Sequence, residues 1–206
     1  MAAAGKLDLR KTHRDEYVAR RKPALIDAGR ARYLTITGRG EPGGQLFQRQ
    51  LSAVFATAFA IKMAKKGAGR DFRMMPLEGL WWAPKSKVAA TPQGTWNWTL
   101  MVRVPPYVGK RDLAVAVKLV AANPDAKLLP VSKLTLQDIT EGRCVQMLHV
   151  GPYDTEPASM TAMHEFATAQ GLRLTGRHHE IYFSDPGRSR PEKMKTLLRY
   201  PVTRSR

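Results

Sequence analysis

A chain of 206 residues with 43% hydrophobic content can build one sizeable core, so disorder is excluded as its default state. A net charge of +17 invites a nucleic-acid partner, but the basic residues are scattered. No helix-turn-helix, zinc-finger spacing or RNA-binding aromatic motif accompanies them, so at most non-specific nucleic-acid contact is expected. The single cysteine, Cys144, excludes an internal disulfide framework and fits a reducing compartment. No apolar run approaches a membrane span and the first residues lack a secretory core, so the expected location is cytoplasmic, without a membrane partner.

Residues 1–30 are polar and basic, with Pro23 interrupting any continuous helix, and predict a loosely attached basic arm. An alternating, β-branched strand is expected over 33–37. A Gly-rich turn follows at 40–44, and no Gly-Lys-Ser/Thr makes a phosphate loop of it. Leu46, Phe47, Leu51, Val54, Phe55, Ala58 and Ile61 recur at helical spacing and predict a helix from 45 to about 65 that packs on a sheet. An apolar run at 72–82 carries Glu78, and a polar loop then leads to a clear strand at 95–104. All four tryptophans, Trp81, Trp82, Trp96 and Trp98, fall in these two runs. That exceeds what a core of this size needs, and it suggests that some of the rings line a pocket.

Residues 110–122 predict a connecting helix. A hairpin is expected from 134–139 and 143–150 across Thr-Glu-Gly, and a turn at 151–157 leads into a helix over 158–170. Two last strands are expected, at 178–183 and 194–200. The order strand, helix, strand, strand occurs twice, in about 31–106 and 130–203. It predicts an α+β fold of tandem βαββ repeats, with an antiparallel sheet, helices on one face and a ligand cleft at the seam.

The strand His178-His-Glu-Ile-Tyr-Phe-Ser-Asp-Pro186 carries the chemistry. Alternation puts His178, Glu180 and Tyr182 on one face and His179, Ile181 and Phe183 on the other. A carboxylate held against rings loses hydration and becomes a better base, although an edge-strand glutamate facing water fits the same pattern. The three histidines His149, His178 and His179 lack helical metal-ligand spacing and come with no cysteine set, so neither a metal nor a cofactor is expected.

Four strings resemble one family: Met75-Pro-Leu-Glu-Gly-Leu-Trp-Trp82, Trp96-Asn-Trp-Thr-Leu-Met101, His149-Val-Gly-Pro-Tyr-Asp154 with Glu156-Pro157, and the strand at 178–186. They are similar to the GyrI-like small-molecule-binding proteins, and within these to a stand-alone branch of cyclopropanoid cyclopropyl hydrolases, over residues 8–203. The resemblance implies two SHS2-type βαββ units around a ligand cavity. It also implies an activity that opens the cyclopropane of DNA-alkylating natural products of the yatakemycin and CC-1065 type by adding water. With no DNA-binding segment ahead of the module in this sequence, a regulator's role is not expected.

On this reading Glu180 is the base or water-orienting group and Tyr153 donates to the developing oxyanion. Trp81, Trp82, Trp98, Met101, His149, Tyr182 and Glu78 contact a flat aromatic ligand, and Glu78 is a second candidate for the key carboxylate. The alternative is a non-catalytic protein that binds or sequesters aromatic or cationic molecules through the same side chains. The sequence does not fix the oligomeric state.

Overall fold

The computed structural model describes residues 5–83 and 96–205; the polar loop expected before the second tryptophan-bearing strand falls outside them. In chain order the elements are α1 (Leu9–Thr12), β1 (Ala24–Gly40), α2 (Gln45–Gly67), β2 (Leu77–Trp82) and β3 (Trp96–Val104). They continue with α3 (Lys110–Ala121), β4 (Thr135–Val150), α4 (Glu156–Ala169), β5 (Leu172–Leu174), β6 (His178–Tyr182) and β7 (Lys195–Arg204).

All strand pairings are antiparallel. They run β4-β1-β3-β2-β6-β7, and a further β4–β7 pairing closes the circuit into a six-stranded barrel, with β5 added at the far end of β7. The expected sheet is therefore antiparallel but closed. Alternation along each strand gives the barrel an inner and an outer face. On the outer face, α2 lies over β1 and β3, burying Val54, Ala58 and Ile61 with Leu34, Ile36 and Leu100. There α4 covers Val145, Met147 and Leu198 with Met163 and Ala167.

Two expectations about the chain path are corrected. Residues 134–150 do not make a hairpin, because both halves pair with the same partner, β1, from Ala24↔Gln146 to Thr35↔Thr135. Gly142 takes the left-handed φ of 70° that suits a turn, yet stays within the strand. The register passes from Ala28↔Gly142 to Arg30↔Thr140, leaving Gly29 and Glu141 out of regular pairing, and Glu141 reaches the barrel interior.

The N-terminal segment is not loosely attached. Leu7 bridges to Phe72, Leu9 and Tyr17 are buried, and the backbone carbonyls of Val18 and Arg20 accept from the Gln146 side chain and the Leu148 amide. A basic composition concealed these few apolar anchors. The first strand also starts earlier than alternation alone predicts, because Arg30 and Arg32 on its outward side are paired with Asp138.

Candidate functional site

The barrel interior is polar where a small barrel is usually apolar. His179 lies between two carboxylates, with Nε2 3.0 Å from Glu78 and Nδ1 2.9 Å from Glu141. Tyr17 donates to Glu78 at 2.8 Å, Arg199 donates to Glu141 at 2.8 Å and to Gln146, and Arg103 donates to Glu16 at 2.6 Å. Three carboxylates (Glu16, Glu78, Glu141) face three cationic groups (Arg103, Arg199, His179 when protonated). The interior is thus close to neutral, which makes such burial tolerable. Burial opposes charge on His179, but the Glu141 carboxylate beside it prevails and raises its pKa to about 9. Burial likewise works against ionised Glu141, yet His179 and Arg199 bring it down to about 2. These are largely buried groups tied to one another, which is the arrangement of a structural network.

The outer face of the same strands is different. Here Glu180, His178 and Tyr182 share the outward side of β6, with the start of α4 near Glu180 and His178. In the register, Gly79 stands opposite Glu180 and Trp81 opposite His178. Gly79 is needed for close approach: a Cβ there would meet Trp81 Nε1 at 2.8 Å and the Tyr182 hydroxyl at 3.2 Å. With that space open, Trp81 Nε1 donates to the Tyr182 hydroxyl at 2.9 Å. Phe47 from α2 stacks on Trp81 at 5.9 Å between ring centroids and 18° between planes, and Trp96 meets Trp81 edge-on. From the turn before α4, the exposed Tyr153 ring stands edge-on to Tyr182 at 6.2 Å.

The first turn of α4 adds Glu156, which lies with Glu180 and His178 so that one ligand atom from each falls within 4.8 Å of the others. His178 Nε2 is 3.1 Å from Glu180 Oε1 but not in hydrogen-bonding direction, and its ring lies 4.8 Å from that of Tyr200. Proximity alone does not make these three side chains a metal site, so no metal is assigned to them. Burial, then the charge of Glu180, pushes Glu156 up to about 9. The same two causes take Tyr153 up to about 12 and Tyr182 well above its usual range. Both phenols therefore keep their protons at neutral pH and are available as hydrogen-bond donors.

The structure brings together Glu180, Tyr153, Trp81 and Tyr182 of the residues expected from sequence. Trp98 lies behind them, fully buried, its Nε1 donating to Gln50 at 2.7 Å. Trp82 is half-buried under the Arg177 guanidinium, 3.8 Å from the ring centroid. Glu78 and Met101 pair across β2 and β3 on the inner face and are wholly enclosed, so they do not share a surface with Glu180. His149 is elsewhere too. Its Nε2 donates to the Pro152 carbonyl at 3.1 Å, which leaves Nδ1 to accept from the Ser159 hydroxyl at 3.0 Å. It borders a depression of about 330 Å³ whose lining includes neither Glu180 nor Tyr182. Sequence reasoning passed over Glu156 and Phe47. The first reads as part of the turn at 151–157 and the second as helix core, and only the fold brings Glu156 to Glu180 and Phe47 to Trp81.

Residues 31–203 match the family described as the GyrI-like small molecule binding domain. The chain belongs to this family. Among solved structures, the GyrI-like domain is similar to an uncharacterized conserved protein from Listeria innocua, at 36% identity over 96% of this chain and all of the other, with a TM-score of 0.88. It is also similar to a hydrolase from Listeria innocua, at 36% identity over the same shares and a TM-score of 0.85. The C-terminal domain of EcmrR shares the fold alone, at 13% identity over 89% of this chain and 98% of that one, with a TM-score of 0.57. No functionally curated protein matches the chain. Among the described residues, no helix of this GyrI-like protein is long and apolar enough to cross a membrane.

Proposed function

We propose that this GyrI-like protein is a hydrolase that opens the cyclopropane ring of flat, cyclopropanoid DNA-alkylating amides by adding water, and so detoxifies them. The observation that carries this reading is Glu180, a carboxylate on the outward side of β6 shared with Tyr182, whose ring meets that of Tyr153 and whose hydroxyl accepts from Trp81. The likeness at 35–36% identity to hydrolases from Listeria innocua supports it. In this reading Trp81 and Tyr182 bound the site for the planar ligand, each aromatic pair worth about 0.5–1.5 kcal/mol beyond area burial.

Water's oxygen bonds to the strained methylene carbon. The ring C–C bond breaks, and its electron pair moves through the conjugated dienone to the oxygen, which becomes phenolate. Glu180 takes the proton from water and Tyr153 donates a hydrogen bond to the new oxyanion, which is finally protonated, so the product is substrate plus one water. Ring strain supplies much of the driving force, and the site needs mainly to position water and stabilise charge. The two halves of the barrel are read as tandem SHS2-type repeats, with the cleft between the helices that follow β1 and β4.

Incubation of the protein with a cyclopropyl-indole substrate, followed by mass spectrometry, tests the reading through the gain of one water. Ligand that is bound but returned unchanged would favour the second reading, a sequestering protein, which the family's small-molecule binding supports.

A further inference from the structure

Glu156 is the one buried carboxyl, among the described residues, for which the fold provides no counter-charge. It is 7% exposed, makes no ion pair, and its Oε1 has no hydrogen-bond partner. The contrast with the barrel interior is direct. Glu16 has Arg103, Glu78 has Tyr17 and His179, and Glu141 has His179 and Arg199. Around Glu156 stand instead a second carboxylate, Glu180, and the ring of His178, whose two nitrogens likewise lack hydrogen-bond partners.

An ionised carboxylate removed from water, unpaired and beside another carboxylate, is disfavoured twice over: by lost hydration and by like-charge repulsion. The α4 N-terminus favours the anion, but a helix end is a weaker influence than burial. We propose that Glu156 is held as a neutral carboxylic acid in the working protein, a positioning residue that acts through Glu180, so that the two carboxyls share one proton and one negative charge. The remaining titratable neighbours are His178 and Tyr182 on β6, Tyr200 on β7 and Tyr153 in the preceding turn. The three phenols stay protonated, since burial and the two glutamates raise all of them.

This extends the reading of Glu180 as the working carboxylate and gives the cleft a selectivity. At neutral pH the cleft presents one negative charge and a carboxylic O–H donor, which suits a neutral ligand bearing a carbonyl. Only when Glu156 ionises, in the alkaline range, does the cleft carry two charges and favour cations.

The test is a carbon-13 NMR titration of the intact protein with labelled glutamate side chains, using Glu156→Gln to assign the signal. A Glu156 carboxyl still protonated at neutral pH and titrating above it is the expected result. A signal ionised throughout the neutral range overturns the proposal. So does the retention, through purification, of stoichiometric zinc or manganese that Glu156→Gln releases, since the donors would then hold a metal and not a proton.

Ethidium, a permanently cationic planar probe, gives a second readout. Its affinity should rise about tenfold as pH passes through the Glu156 titration, and should stay flat in Glu156→Gln. A flat profile in the unmodified protein counts against the proposal. If Glu156→Gln does not fold, the signal is assigned from its proximity to Tyr182 and Tyr200. Failure of every cyclopropyl substrate to react would remove the proposed reaction while leaving this titration to decide the state of Glu156.

Discussion

His179 and Glu180 are neighbours in the chain and belong to different parts of the molecule. One strand carries both: His179 points into the barrel between Glu78 and Glu141, and Glu180 points outward on the side of Tyr182. Substitutions at the two positions should therefore be separable, one changing stability and the other changing chemistry.

Glu180→Gln preserves shape but cannot accept a proton at neutral pH. Turnover of a cyclopropyl substrate should fall by about 10²–10⁴ with the melting temperature little changed. Fluorescence quenching by a planar ligand should show binding largely retained. A wild-type rate in this variant would exclude Glu180 as the base.

His179→Ala should be destabilising by about 3–5 kcal/mol, because it removes the cation shared by two buried carboxylates and leaves Glu78 with Tyr17 alone. Denaturant unfolding gives the value directly. A loss of activity without loss of stability would mean that the barrel interior is a functional site after all.

The pH dependence of folding follows from the same pair. His179 has a raised folded pKa, so its contribution is complete below the unfolded value of 6.5 and is lost as pH rises through about 9. Glu141 has a depressed one, so its contribution is complete above 4.5 and is lost as pH falls through about 2. Glu156 works in the opposite sense to Glu141: a raised acid gives up stability as pH rises from 4.5 to about 9. Together they place the stability maximum near pH 4.5, with a decline above it that steepens beyond 6.5, which melts across the pH range would show. Glu156→Gln should soften that decline.

The tryptophans should separate into two classes. Trp98 is fully buried and hydrogen-bonded to Gln50, so Trp98→Ala should cost about 3–5 kcal/mol of stability. Trp82 is half-buried and carries the Arg177 cation over its ring, so Trp82→Ala should cost about 1 kcal/mol. Equal losses would show that Trp82 is also part of the core.

Tyr17→Phe tests the docking of the N-terminal segment. Removing the hydroxyl leaves a Glu78 oxygen without a donor, worth about 1–3 kcal/mol. Ligand affinity should not follow, since Glu78 lies behind the sheet. A variant as stable as the parent would mean that water replaces the phenol.

The local rules of the sequence were informative and the long-range ones were not. Helical periodicity located α2, α3 and α4 to within about two residues. Period-two alternation assigned the two faces of β6 correctly, which is why Glu180 stood out. What alternation cannot provide is the partner. Grouping Glu78 with Glu180 required a register, and the observed one sets Gly79, not Glu78, opposite Glu180. The Thr-Glu-Gly at 140–142 has turn chemistry, but pairing with β1 on both sides overrides it. Glu156 stood in one of the strings that carry the family resemblance but was read as part of a turn, because a glutamate ahead of a helix is ordinary until something shows that it is buried.

The barrel network also dictates an order of events in making the protein. Its bonds join residues far apart in the chain: Glu78 to His179 across 101 positions, and the Glu16 carbonyl to Arg199 across 183. Until Arg199 has left the ribosome, Glu141 lacks one of its two cationic partners and β4 lacks β7. Early parts of the chain can collapse but cannot finish, so folding should be slow, as for other sheets closed by distant pairings. It should also be completed only after β7 has emerged. A nascent chain stalled within β7 would hold an uncompensated acidic interior, and cellular proteases should remove it more readily than the finished barrel.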